Sequence, residues 1–293
     1  MYSLAHQNVL IDECRIACAT YGEGDPVILI HGTPSSSLIW REVVPVLNAA
    51  GYAVHLFDLL GFGLSERPWS PAVDTSVAGQ VPILRGLMGH WGLDHAHIVA
   101  HDIGGAVAQR FTLENPDMVR TLTLIDSVSF DSWPSERTRQ QMRDGLEALI
   151  RSPDIDHRAH FRDWLLSTVV DRKKLSDGPL DAYVDIISGI IGQASLFAHQ
   201  VGHYDPRYTD ELTPELHRLG DRPVQILWGA EDAWQTTNWA EKLHAAIPGS
   251  ALHIIPDCGH FAMEDRPEEI ARLIVSFLRE GSGANASPAA GRA

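Results

Sequence analysis

At 293 residues, with 44% apolar and 21% charged side chains, the chain is long enough to bury one large core. Its 38 acidic and 23 basic residues give a formal net charge of −15, with no Lys/Arg cluster that could track phosphates, so nucleic acid is excluded as an expected partner. No apolar run reaches bilayer length and the N-terminus lacks the basic and apolar regions of a signal peptide, so a cytoplasmic protein with no membrane partner is expected. Three cysteines (Cys14, Cys18, Cys258) suit a reducing compartment, and with no ligand pair to match Cys14 and Cys18 no metal is expected.

Residues 8–21 alternate apolar and polar character, as an antiparallel edge hairpin does. Pro26–Ile30 is a continuous apolar run, expected of a strand covered on both faces, and it ends in His31-Gly32-Thr33-Pro34 before a helical segment through Ala49. A strand at 53–57 leads into the glycine-punctuated turn Asp58-Leu59-Leu60-Gly61-Phe62-Gly63, and a helix is predicted across roughly 74–91. Ile98-Val99-Ala100 is the next strand. It stops at His101-Asp102-Ile103-Gly104-Gly105, and a helical pattern follows at once. A strand turning sharply into a helix around one polar residue, with small residues beside it, is the geometry of a nucleophile elbow. Free N–H groups at the helix start favour an anion there. The residue at the apex is a carboxylate, Asp102.

After a strand at 121–125, ending at Asp126, the rhythm changes. Residues 130–215 carry helical periodicity, many aromatic residues and several prolines, which reads as a helical cap inserted between two core strands. Alternation then resumes with a strand at 223–229, a helix at 237–247, a strand at 251–255 and a helix at 267–279. The predicted organisation is an α/β core over 1–129 and 216–280, a cap over 130–215 and a flexible tail over 281–293. The fold class is a mostly parallel open sheet with helices on both faces, whose ligands bind beyond the carboxyl ends of the strands.

Three loops at those ends carry Asp102, Asp232 and His260, in the order nucleophile, acid, histidine. A neutral imidazole withdraws a proton from water only when a carboxylate on its far nitrogen fixes the tautomer, the part given to Asp232. Asp126, at the end of the strand after the elbow, is the alternative acid. Backbone N–H groups of Thr33 and Ile103 can converge on one oxygen as an oxyanion hole. His31 is expected to brace its loop.

Together His31-Gly32-Thr33-Pro34, Asp58 to Ser65, His101 to Gly105, Trp228-Gly229-Ala230-Glu231-Asp232 and Cys258-Gly259-His260 resemble the α/β-hydrolase superfamily across nearly the whole chain apart from the cap and tail. The His-Asp-x-Gly-Gly elbow is similar to the branch with aspartate nucleophiles, the epoxide hydrolases and the haloalkane and haloacetate dehalogenases. The resemblance implies a cofactor-independent hydrolase. A carboxylate, already charged with a reference pKa near ~3.9, would attack an sp³ carbon directly, and His260-activated water would hydrolyse the resulting ester. Esterase or lactonase chemistry with Asp102 as base, and ligand binding without catalysis, are the other readings.

The family pattern is incomplete in this chain. Of the two lid tyrosines usual in epoxide hydrolases, Tyr183 and Tyr204 are the candidates, while His199 occupies the neighbourhood where the second often stands. Ile103 and Thr33 replace the N–H donors usual for halide, with Trp133, Trp164 or Trp234 as substitutes, and Ala100 replaces the usual glycine two residues before the apex. With no arginine pair beside the elbow, the expected substrate is small, neutral and largely apolar. A monomer or homodimer is expected.

Overall fold

Short strands rich in Val, Ile, Leu and aromatic residues sit side by side in the centre of the sheet, where no face is left for water. The computed structural model describes residues 3–70 and 72–284, side chains of 282–284 excepted. Its eight strands are β1 (Gln7–Ile11), β2 (Cys14–Tyr21), β3 (Asp25–Ile30), β4 (Tyr52–Phe57), β5 (Ala96–His101), β6 (Val119–Ile125), β7 (Val224–Gly229) and β8 (Ala251–Ile255). They form one sheet in the order β1-β2-β4-β3-β5-β6-β7-β8. The β1–β2 hairpin pairs antiparallel with itself and with β4, and every other ladder is parallel. All residues of β4, β5 and β7 are buried, the pattern of parallel strands covered on both faces.

Alternation along the central strands divides the core. Ile28, Ile98, Leu122 and Ile226 pack on one side with the helices α2 (Gln80–Trp91) and α3 (Ile103–Glu114). Val27, Leu29, Val99 and Leu227 pack on the other, with α1 (Val44–Ala49) and the C-terminal helix Pro267–Ala284. Each fully buried Ile or Leu contributes about 1.5–3 kcal/mol of transfer free energy, so these two layers dominate stability. The predicted helix over 74–91 starts only at Gln80. Before it, Asp74 and Ser76 side chains capture backbone N–H groups and hold a turn.

Between β6 and β7 lie α4 (Glu136–Asp144), α5 (Glu147–Ile150), α6 (Asp154–Leu166), α7 (Arg172–Asp177), α8 (Leu180–Ile186), α9 (Gly189–Ser195), a five-residue π-helical turn (Leu196–Gln200) and α10 (Arg207–Asp210). Ser135 and Asp171 cap α4 and α7 through their side chains. After β7 come α11 (Thr237–Ala246), α12 (Ala262–Asp265) and the C-terminal helix, α13 (Pro267–Ala284). The flexible tail predicted from 281 is corrected in part, because α13 continues through Ala284. Ile270, Ile274 and Leu278 bury one stripe of α13, and Gly281 sits so close to Thr121 and Pro223 that a larger residue would not fit. Residues 285–293 lie outside the described residues. No single helix among the described residues is long and apolar enough to cross a membrane.

Candidate active site

Strand β5 ends at His101 and α3 begins at Ile103, so the chain must reverse within one residue. Asp102 does this at φ +53°, a left-handed conformation unusual for a side chain with a Cβ and costing of order 1–3 kcal/mol. Three glycines make room for the bend. A Cβ on Gly32 would strike the Asp102 side chain, one on Gly104 the carbonyls of β3 and His31, and one on Gly105 the side chain of Ser127.

The Asp102 carboxylate is buried, with only 4% of the residue exposed. Its Oδ1 accepts from the Thr33 backbone N–H at 2.8 Å, and the Ile103 N–H also donates to the carboxylate. The two N–H groups expected to form an oxyanion hole thus converge on the Asp102 carboxylate. Oδ2 faces His260 Nε2 at 3.5 Å, a buried nitrogen without a hydrogen-bond partner of its own. On the far side His260 Nδ1 donates to Asp232 Oδ2 at 2.8 Å. Asp232 is held in turn by the backbone N–H groups of Trp234 and Gln235, which donate to Oδ1 at 2.7 and 2.9 Å.

Electrostatics follow from this line of three groups. Burial disfavours a charge on His260, but the flanking carboxylates of Asp232 and Asp102 outweigh it and hold its pKa well above the ordinary value. Burial likewise pushes Asp102 up, and attraction from His260 across the 3.5 Å contact outweighs it and brings Asp102 below the usual carboxylate range. The resting pair is therefore carboxylate and imidazolium. His101 is different: burial, reinforced by the neighbouring His260 charge, lowers its pKa to about 4. Neutral His101 donates from Nε2 to the His260 carbonyl at 2.9 Å and fixes the histidine loop. His31 accepts from the Leu59 N–H at 3.0 Å and donates to the Gly32 carbonyl at 2.9 Å, the bracing expected of it.

Asp126 lies beside this arrangement and does not contact His260 Nδ1. Its Oδ1 accepts from the Gly229 N–H at 2.8 Å. The histidine reaches Asp232 instead because the loop after β7 carries Asp232 over the start of the β8 loop, where Gly229 packs directly against the carbonyls of Cys258 and Gly259.

A cavity of about 230 Å³ opens between the helices of 136–221 and the strand ends. Leu149, Phe161, Trp164, Leu196, Phe197 and Val201 give it an apolar wall, Arg137 and His160 stand among its polar residues, and Thr33 and Tyr204 belong to its lining. The Tyr204 hydroxyl donates to Thr33 Oγ1 at 2.6 Å, one residue's reach from Asp102. Three of the other expected cavity residues are placed elsewhere. Tyr183 is fully buried and donates to Glu264 Oε1 at 2.5 Å, in a network with Arg41. His199, in the π-helical turn, is outside the cavity lining: its Cβ packs near Gly61 and its backbone carbonyl accepts from the Thr75 hydroxyl. Trp133 backs the Tyr204 ring, with centroids 4.5 Å apart.

Trp164 does line the cavity, and it stacks on Trp234 at 4.2 Å, which stacks on His260 at 5.1 Å. This pile connects the interstrand helices to the imidazole. Its one legible signal was the position of Trp234 two residues after the acid. Asp102 and His260 are not themselves part of the cavity lining, which meets the site at Thr33, Tyr204 and Trp164.

Among the described residues no cluster of three or more His, Cys, Asp or Glu is placed to hold a metal ion. A strained polar apex, a histidine and a carboxylate at the ends of neighbouring parallel strands define a hydrolase of the α/β type. The family model for the alpha/beta hydrolase fold matches residues 25–267, and the chain belongs to that family. It is 27% identical to a 2-hydroxy-6-oxononadienedioate/2-hydroxy-6-oxononatrienedioate hydrolase of Cupriavidus pinatubonensis, over 91% of each chain. It is 25% identical to haloalkane dehalogenase 2 of Mycobacterium bovis, over 89% of this chain and 90% of that one. Among solved structures, an alpha/beta hydrolase fold protein from Burkholderia ambifaria superposes with a TM-score of 0.84 at 29% identity, covering 94% of this chain and 99% of the other.

Proposed function

We propose that the protein hydrolyses a small, neutral, largely apolar electrophile through a covalent ester on Asp102, with an epoxide as the substrate class that fits best. The carrying observation is the two-sided environment of one carboxylate. Oδ1 is held by the Thr33 N–H and the carboxylate also receives the Ile103 N–H, while Oδ2 is turned toward His260 Nε2 at 3.5 Å. A carboxylate needs no base to attack a saturated carbon, and the C–O bond of the epoxide breaks as the ester forms. The ring oxygen leaves as an alkoxide and takes its proton from the Tyr204 hydroxyl, which is then reprotonated at the expense of the imidazolium.

Esterification removes the Asp102 charge, one of the influences raising the His260 pKa, so the imidazole becomes free to act as base. It takes a proton from water as that water adds to the Asp102 carbonyl carbon. The resulting oxyanion forms on a carboxyl group that already receives the Thr33 and Ile103 N–H groups, a preorganised stabilisation. Collapse releases the diol and restores the carboxylate–imidazolium pair.

Tyr204 favours an oxygen leaving group over halide. It is the one tyrosine of the cavity lining, and the Trp234 indole N–H is committed to Ser167 Oγ at 3.0 Å. Tyr204→Phe should lower kcat/KM on epoxides by about 10²-fold or more, as loss of a general acid does, yet leave hydrolysis of a bromoalkane nearly unchanged. Equal losses on both substrates would remove Tyr204 from the acid role.

The reading itself is tested by one turnover of excess enzyme in H₂¹⁸O. Label is expected in the Asp102 carboxylate and not in the first product, because water attacks the ester carbonyl. A labelled first product would mean direct attack by water, as in the esterase reading with Asp102 as base.

A further inference from the structure

Asp126 is a fully buried carboxyl group that the mechanism above does not use. Its Oδ1 takes the Gly229 N–H, and its Oδ2 meets no hydrogen-bond donor at all. That carboxyl nevertheless stands within hydrogen-bond reach of the Asp232 side chain. Asp232 has no exposed side-chain surface and already receives three donors, from His260 Nδ1, Trp234 N and Gln235 N. Two carboxylates in contact in a dry site cannot both be ionised without several kcal/mol of repulsion. One proton between them converts the contact into a hydrogen bond. The better-solvated partner keeps the charge, and with three donors against one that partner is Asp232.

We infer that Asp126 is held as a neutral carboxylic acid whose O–H donates to Asp232, making it a positioning residue that tempers the negative charge presented to His260. Resting on the Asp232–His260 role proposed above, this takes Asp126 out of competition for the triad acid and gives it a distinct job. The charged and titratable groups around it agree. Burial and the Asp232 charge raise its pKa well above the ordinary carboxyl value, while His260 and the Gly229 N–H oppose the rise. The neighbouring Cys258 thiol is pushed up by burial and then by Asp126 itself, and stays neutral. Sharing the Asp232 charge weakens its pull on the imidazolium, so the imidazole is released more readily once Asp102 is esterified.

The sign of the effect separates this from an ionised Asp126. Asn is the isostere of the protonated acid: its Oδ1 keeps the Gly229 N–H and its amide donates to Asp232. Asp126→Asn should therefore leave the His260 midpoint, followed by ¹H–¹⁵N ring signals, within about half a unit of the wild type. Removing an ionised carboxylate instead would lower it by about one unit or more. Infrared difference spectra supply a second measurement on the unmodified protein. With ¹³C-labelled aspartate, a protonated carboxyl band should persist at neutral pH, shift in ²H₂O and vanish in Asp126→Asn. Absence of that band in the wild type, or a downward move of the His260 midpoint in the variant, overturns the inference. Neither readout needs a substrate, so both remain informative if the hydrolase reading fails in the isotope experiment.

Discussion

Asp102→Ala is expected to abolish turnover, by about 10⁴-fold or more, the scale on which deleting one member of a linked catalytic set acts. Thr33, the side chain beside the apex, is no substitute, since it contributes its N–H and its hydroxyl is bound by Tyr204. The fold should survive, because the bend at 102 is made by Gly32, Gly104 and Gly105 and a methyl group occupies less room than the carboxylate. The loss leaves His260 beside Asp232 alone. One raising influence disappears, and its pKa falls toward the neutral range. Steady-state rates together with a thermal melt check both statements. Retention of more than a few per cent of the activity in a folded variant would mean that the apex carboxylate is not the attacking group.

His260→Gln should divide the reaction in two. Attack by Asp102 does not require the imidazole, but hydrolysis of the ester does, so turnover should drop by about 10²–10⁴-fold while covalent enzyme accumulates. Intact-protein mass spectrometry reads the outcome directly. An epoxide adds its whole mass, because the leaving oxygen remains tethered. A haloalkane adds only the alkyl group that replaces a carboxyl proton. The adduct should map to the peptide holding Asp102, and hydroxylamine should release it. A folded variant that neither turns over nor gains mass with epoxides, haloalkanes or esters would sink the covalent route. The glutamine retains a hydrogen-bonding side chain between Asp102 and Asp232, which keeps these two carboxylates from being left without a partner.

Much of this was written into the chain where local chemistry dictates geometry. Parallel strands declared themselves as short apolar runs, and each ended in the polar residue that now faces the site: Asp102 after β5, Asp126 after β6, and Asp232 and His260 after β7 and β8. The elbow was legible because only glycine neighbours allow it. Contacts made by long-range packing were not. Tyr183 looks like a cavity residue by composition, but the Glu264 carboxylate, salt-bridged to Arg41, takes its hydroxyl, and the ring sits edge-on to Phe261 outside the cavity lining. His199 was displaced by one π-helical turn, which no periodicity of 3.6 foretells. The choice between Asp126 and Asp232 depended on which loop overhangs the histidine, a property of two segments 28 residues apart.

The Asp265 carboxylate accepts from Gly259 N at 2.8 Å, from Val170 N at 2.9 Å and from Asp171 N at 3.0 Å. Phe261 N adds a bond to the Thr168 carbonyl at 2.9 Å. One side chain thus grips the peptide just before His260 and the chain leading into α7 at the same time. The helices over the cavity and the loop that holds His260 are mechanically one part, so exchanging those helices for foreign ones would also shift the imidazole. Any graft that preserves chemistry has to carry the 168–171 crossing with it.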